Sequence, residues 1–341
     1  MLLTTCHLLL TTIMHILVTG GAGYIGSHAV RLFLDRGHDV WVYDSLIYGH
    51  RAAVPADRLI VGDLSETHRI DQVLLEHRID AVVHFAAFAA VGESVQHPAK
   101  YWQNNVVNTL SLMECLRRHQ VGRFVFSSTC ATYGAPERMP ITEATPQRPI
   151  NPYGQTKLTI EQILGDYARA YNWGFAALRY FNASGAHPDG SIGEDHTPET
   201  HLIPLAIFAG LGKRPHIEIY GTDYPTADGT CVRDYIHVND LAEAHLLVLE
   251  KLQPGQQMHY NLGIGRGYSV REVIAAVEKV TGKKVPVKVG PRRAGDPPVL
   301  VASFDKIKRE LGWKPHYTDI NVIVETAWTW HRAHPKGYKD R

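Results

Sequence analysis

A run of seven residues near the start of the chain, Gly20-Gly21-Ala22-Gly23-Tyr24-Ile25-Gly26, constrains its folding more than any other stretch. Ahead of it, residues 16–19 are apolar or β-branched, as in a buried strand. Behind it, residues 25–36 carry apolar side chains at helical spacing. Glycine at 20 permits a tight turn, glycine at 23 lets an anion approach the backbone, and glycine at 26 lets the helix lie close to the strand. The segment is therefore predicted to be a strand, a turn and a helix whose first amides and dipole face a negatively charged group.

The same rhythm continues. Strands are expected at 40–43, 59–61, 81–85, 124–127 and 175–178, and helices at 104–119 and 153–171, with Asn151 and Pro152 placed as cap and first-turn proline. Strands apolar on both faces, alternating with helices, predict an α/β fold: a Rossmann-type, doubly wound parallel sheet. After about residue 181 the pattern changes to Gly- and Pro-rich loops, strands at 217–220 and 285–289, and helices near 241–251, 270–280 and 320–332. A smaller, mixed α/β C-terminal lobe is expected there. The division is 14–181 for the first domain and 182–341 for the second, with a segment near 235–262 returning to the first.

Lys and Arg number 35 against 34 Asp and Glu, so there is no broad positive field of the kind that nucleic acid or an anionic membrane requires. Neither is expected as a partner. The four cysteines, Cys6, Cys115, Cys130 and Cys231, are scattered without paired spacing, which argues against a disulfide scaffold or a structural zinc site and for the cytoplasm. His196, Glu199 and His201 come nearest to a metal-ligand set, but Pro198 breaks any helix that would align them, so no metal is expected. Residues 1–13 are apolar but lack the basic start and small-residue cleavage site of a signal peptide. They are expected to be a disordered extension or to precede a second start at Met14.

Two clusters suggest the chemistry. Strand, glycine turn and helix form the context of a dinucleotide site, and Asp44, closing the second strand, stands where a carboxylate bonds the adenosine ribose. A carboxylate there repels a 2′-phosphate and favours NAD over NADP, with Arg51 the nearby cation that opposes this preference. Tyr153 and Lys157 lie four apart and share a helix face. A phenol ionising near about 10 is a poor base at neutrality, but an adjacent ammonium and a positive nicotinamide ring would favour phenolate. Thr129 follows a strand ending in Ser127 and Ser128, where its hydroxyl can share a hydrogen bond with a reacting alcohol or, alternatively, cap a turn.

Further motifs are Arg179-Tyr180-Phe181-Asn182, Gly185-Ala186-His187-Pro188, Glu199-Thr200-His201-Leu202-Ile203-Pro204, Tyr220-Gly221-Thr222-Asp223-Tyr224-Pro225, Val232-Arg233-Asp234-Tyr235-Ile236-His237, and Arg292-Arg293-Ala294-Gly295-Asp296. With the glycine turn and Tyr153/Lys157, these make the chain resemble the extended short-chain dehydrogenase/reductase superfamily, and within it the UDP-hexose 4-epimerases. The resemblance runs from about Met14 to the end.

It implies interconversion of UDP-glucose and UDP-galactose through a 4-keto sugar, with hydride passing transiently to a tightly held NAD. Tyr153 would be the base, Lys157 its partner, and Thr129 the hydroxyl beside them. The NAD site would comprise Gly20, Gly23, Tyr24, Ile25, Gly26, Asp44, Ser45, Asp63, Leu64, Phe85, Ala86, Ala87, Asn104, Ser127, Tyr153, Lys157 and Phe181. Asn182, His201, Leu202, Tyr220, Arg233, Arg293 and Asp296 would grip the uridine diphosphate, and Leu300 would flank the sugar beside Thr129 and Tyr153. A homodimer through helices 104–119 and 153–171 is implied as well. Ala89 departs from relatives that carry lysine there.

Epimerases of UDP-N-acetylhexosamines or UDP-pentoses share this chemistry. A 4,6-dehydratase would need an acid and a base where Cys130 and Ala131 stand, and a non-catalytic NAD sensor would have no need of Tyr153, Lys157 and Thr129 together.

Overall fold

The computed structural model describes residues 13–293 and 296–339. The expected extension, apart from Ile13, and Ala294 and Gly295 of the arginine motif lie outside these residues. Six strands follow one another through the first half: β1 (His15–Thr19), β2 (Asp39–Asp44), β3 (Leu59–Val61), β4 (Ala81–His84), β5 (Arg123–Ser127) and β6 (Gly174–Arg179). Their ends fall within one residue of the sequence expectation. With a later strand, Gln257–Asn261, they form a seven-stranded sheet in the order Gln257–Asn261, β6, β5, β4, β1, β2, β3. Every pairing is parallel.

Alternate side chains explain the two-sided hydrophobicity. Ile16, Val18, Val42, Val83, Val125 and Leu178 point to one face, beneath α1 (Tyr24–Asp35) and the helix Val238–Lys251. Leu17, Tyr43, Val82, Phe124, Phe126 and Phe175 point to the other, beneath Thr67–His77, Asn108–Arg118 and Pro152–Tyr171. Burial of each such side chain contributes roughly 1.5–3 kcal/mol against exposure. A third core, including Ile203, Ile207, Ile219, Val273, Val277, Ile323 and Val324, fills the region of the helices Leu202–Gly210, Val270–Thr281 and Ile320–Ala333.

Three details depart from the sequence reading. The strand Gln257–Asn261 was not among the expected ones, because Gln257 is exposed and polar residues interrupt its apolar run. The expected helix 104–119 divides into a π-helical segment, Trp102–Val107, and the α-helix Asn108–Arg118. The wider turns carry Asn105 inward, where its carboxamide accepts from Phe88 N (2.9 Å) and donates to Phe88 O (3.0 Å). And Pro198 does not keep Glu194, His196, Glu199 and His201 apart. A loop gathers them without a helix, with candidate donor atoms within 4.8 Å of one another. Among the described residues no helix is long and apolar enough to cross a membrane.

Candidate active site

Because the sheet is parallel, the C-terminal ends of β1, β2, β4, β5 and β6 share one edge, and Gly20, Asp44, Phe85, Ser127, Thr129 and Phe181 lie on or just beyond those ends. Gly20 follows β1 at φ +73°, and a Cβ there would lie 2.5 Å from Ala86 N. A Cβ on Gly26 would come within 2.2 Å of Gly20 O, so this glycine is what lets α1 start against the turn. Gly23 differs: a Cβ on it would meet only Gly20 O, at 3.4 Å. Gly23 is also the N-cap of α1 and has no side chain to cap the first amides. Backbone donors facing open space at a helix start fit a pyrophosphate.

Asp44 ends β2 as expected, but much of its hydrogen-bonding capacity serves the turn itself. Its Oδ2 accepts from Ala22 N at 3.0 Å and its Oδ1 from Leu46 N at 2.8 Å, while burial raises its carboxyl. Each oxygen keeps a lone pair for a ribose hydroxyl. Ser45 beside it is exposed. Asp63 accepts from Ser65 N and Oγ at 2.9 and 2.6 Å. Leu64 departs from a side-chain role: it is buried in the core with Tyr43 and Ile70, which leaves only its backbone toward the cleft. Tyr24 donates to Gly185 O at 2.6 Å, Ile25 packs against the core, and Asn104 donates to Asn105. Phe85 and Ala86 continue β4, both amides donating to Thr19 O, with Ala87 next.

Thr129, Tyr153 and Lys157 come together where β5 meets the helix Pro152–Tyr171. Asn151 caps that helix by accepting from Gly154 N at 2.8 Å, with Pro152 in its first turn. Thr129 is within hydrogen-bond reach of Tyr153 and also caps the turn Cys130–Tyr133, accepting from Ala131 N at 3.1 Å. The turn-capping reading of this threonine holds, and the same hydroxyl stands beside Tyr153. Lys157 is buried and donates to Ser127 O at 2.8 Å, and its Nζ stands 6.0 Å from the Tyr153 ring centre.

The electrostatics here correct the sequence expectation. Burial pushes the Tyr153 phenol up to about 12, opposed by its Thr129 hydrogen bond, and burial drives the Lys157 ammonium down to about 7, opposed by Glu161. The ammonium is tied to a carbonyl of β5 rather than to the phenol, and desolvation is the largest influence on both groups. Ser127 shares a hydrogen bond with Tyr180, Phe181 packs beside Cys130 and Tyr133, and the Cys130 thiol is pushed well up by burial, as suits a packing residue.

On the other side of the cleft, Asn182, His201, Leu202, Tyr220, Arg233, Arg293 and Asp296 line a single cavity of about 260 Å³. The structure thus gathers seven residues that sequence separates by up to 114 positions (296 − 182). Leu300 stands apart from that lining, on a strand paired with Val232–Arg233, and packs toward Cys130 and Tyr133. The pairing inside the cavity was not expected. Arg233 bonds Asp296 and Val232 O, Arg293 sits 3.9 Å over the Tyr220 ring, and Asn182 donates to Asp234 O at 2.9 Å.

The loop cluster at the cavity rim is an ion-pair network. His201 Nδ1 is 2.7 Å from Glu194 and 3.0 Å from Glu199, and His196 Nδ1 is 3.2 Å from Glu194. Burial disfavours the imidazolium at both histidines, yet the two glutamates raise His196 to about 9 and His201 well above its ordinary value. Two imidazolium and two carboxylate groups thus neutralise one another, and Tyr24 of the glycine turn sets its ring edge-on against His196 (centres 6.1 Å apart).

Residues 16–263 match the model of the NAD dependent epimerase/dehydratase family. The UDP-glucose 4-epimerase of Lacticaseibacillus casei is 52% identical over 96% of this chain and 100% of its own length. The crystal structure of UDP-glucose 4-epimerase from Brucella ovis in complex with NAD is 48% identical, covers 92% of this chain and 97% of its own, and superposes with a TM-score of 0.89. That from Bifidobacterium longum in complex with NAD+ and UDP is 39% identical, covers 95% and 100%, and gives a TM-score of 0.90.

Proposed function

This chain belongs to the NAD dependent epimerase/dehydratase family, and we propose that it is a UDP-glucose 4-epimerase, with Tyr153 as base and the NAD and UDP-sugar residues assigned above. One observation carries the reading: Tyr153, Thr129 and Lys157 meet on the sheet edge that bears the glycine turn, while the cavity across from it presents Arg233 and Arg293. The donor set fits NAD: open first amides at Gly23, a carboxylate at Asp44 and a lysine at Lys157. When bound, the nicotinamide supplies the acceptor and donor of hydride at C4 of the sugar.

The protein's own part is proton transfer and grip. Tyr153 takes the proton of the 4-hydroxyl and returns it to the 4-keto sugar, and Thr129 holds that hydroxyl in line. Burial opposes ionisation of the Tyr153 phenol, so the positive charge of a nicotinamide bound beside it would favour the phenolate that the residue needs as base. Arg233 and Arg293 anchor the diphosphate, and Leu300 borders the sugar, which is left free to turn over. Residues 14–181 serve NAD and 182–341 the UDP-sugar, with 235–262 returning through the strand paired to β6.

Tyr153→Phe tests the reading: UDP-galactose turnover should fall by about a thousandfold or more while UDP-sugar affinity stays within about threefold. Near-normal turnover would refute it. A homodimer through Asn108–Arg118 and Pro152–Tyr171 is supported by apolar side chains left exposed on the first of these helices, Leu110 (38%), and on the π-helical segment before it, Trp102 (38%) and Val107 (48%). Light scattering showing a monomer at micromolar concentration removes it. A cytoplasmic location accords with the unpaired thiols of Cys115, Cys130 and Cys231.

A further inference from the structure

On the helix Pro152–Tyr171, one turn beyond Lys157, the stripe that carries Tyr153 and Lys157 continues to a second buried charged residue, Glu161. Its carboxylate accepts from Ser128 Oγ at 2.5 Å and from Arg179 through two nitrogens, Nε at 3.0 Å and Nη2 at 2.5 Å. Gln147 donates to the same carboxylate at 3.2 Å. Ser128 lies between Ser127, whose carbonyl receives the Lys157 ammonium, and Thr129, which reaches Tyr153. Arg179 ends β6 and also donates to Tyr133 at 2.7 Å, in the turn that Thr129 caps. Tyr133 in turn donates to Asn261 of the seventh strand at 2.7 Å. One carboxylate therefore ties the helix of the base to the ends of β5 and β6.

We propose that Glu161 is a positioning residue of the reaction: through Ser128 and Arg179 it fixes the strand end that bears Thr129 and receives Lys157, and it sets a carboxylate one helical turn from the Lys157 ammonium. This rests on the epimerase reading above. A buried ion pair is weak support for stability alone, since its desolvation offsets much of its attraction. What favours a role in the reaction is its place on the stripe of the base and its direct bond to the residue between Ser127 and Thr129. The titratable groups that act on it, besides Arg179, are Cys130 after β5 and His259 on the seventh strand, while Lys157 on its own helix also faces His84 at the end of β4 and the Tyr153 ring. Of the charged groups, Glu161 is the one that raises Lys157 against its burial.

The direction follows. Without the Glu161 carboxylate the ammonium loses its proton at lower pH, so activity that requires Lys157 charged falls away earlier as pH rises. Three variants of the NAD-loaded protein separate the roles: Glu161→Gln, the double variant Glu161→Gln/Arg179→Gln, and Ser128→Ala. The single Gln variant leaves Arg179 as an uncompensated buried cation and is the most exposed to misfolding, whereas the double variant removes both charges. The alkaline limb of kcat with UDP-galactose should move to lower pH by about one unit in both Gln-containing proteins, with KM within about threefold. In Ser128→Ala the limb should stay in place while kcat falls several-fold.

The Lys157 titration is read independently from its side-chain carbon resonance in lysine-labelled protein, assigned by its loss in Lys157→Arg. A parent protein without epimerase turnover overturns the epimerase reading, yet this midpoint still decides the inference. A midpoint that drops in the double variant supports it. A midpoint and pH profile that match the parent, with only thermal stability lowered, overturn it and leave Glu161 a structural ion pair.

Discussion

The two sides of the cleft are built by different means. At the glycine turn, shape is fixed by backbone: Gly20 and Gly26 leave no space for a Cβ, Gly23 leaves it open, and Asp44 ties the turn from below. In the cavity across from it, shape is set by charged side chains that pair with each other, Arg233 with Asp296, Arg293 over Tyr220, and two histidines with two glutamates. The first side is ready for a ligand that stays. On the proposed reading, the second would have to exchange internal partners for a diphosphate, which suits a ligand that comes and goes.

Steric substitutions should break the contrast most strongly. Gly26→Ala places a methyl 2.2 Å from Gly20 O and should cost about 3 kcal/mol or more of stability, together with bound NAD, measured by denaturant melts and absorbance of the purified protein. Gly23→Ala, with 3.4 Å of clearance, should fold normally and lose only cofactor affinity. Equal loss in both would deny that the turn is fixed by sterics at 26 and left open at 23.

A smaller effect is expected across the cleft. Arg233→Gln should weaken UDP binding by about 1.5–3 kcal/mol, measured by calorimetry, with a shallower salt dependence and little change in melting temperature. The rim network should show itself in pH. His196 is raised to about 9, so its stabilising contribution is complete below its ordinary value near 6.5 and is lost as pH rises through about 9, because the folded state there holds the extra proton. Stability of the parent should fall by about 1–3 kcal/mol more than that of His196→Asn between pH 6 and pH 9.5, in paired urea titrations.

The smallest effect concerns the sugar border. Leu300, of moderate size, should admit UDP-N-acetylglucosamine at some fraction of the UDP-glucose rate, and Leu300→Tyr should lower that fraction several-fold while sparing UDP-glucose. Product analysis with both sugars decides it, and no N-acetyl turnover in the parent counts against the idea.

The backbone-built side was the more legible one. Glycine spacing, Asp44 at a strand end and Asn151-Pro152 at a helix start are local signals, and each recurs where expected. The side-chain-built region was readable only through the resemblance of its motifs, because Asn182, Arg233 and Arg293 carry no periodic signature. Even where the residues were identified, their pairing was hidden: no local rule joins Arg233 to Asp296 or places Leu64 in the core. Pro198 was misleading for a definite reason. It excludes a helix, but the loop around it brings Glu194, His196, Glu199 and His201 together by another path.

Sequence by itself determined the alternation of strands and helices, the turn at Gly20 to Gly26 and the Tyr153–Lys157 stripe, since periods of 2.0 and 3.6 residues and glycine sterics act over a few neighbours. Tertiary structure alone decided that Gln257–Asn261 completes the sheet, that Asn105 turns inward, and that the Lys157 ammonium bonds Ser127 O instead of the phenol. Those outcomes depend on which surfaces meet and on how much water is removed from each charge. Both quantities arise only when segments far apart in the chain are packed against one another.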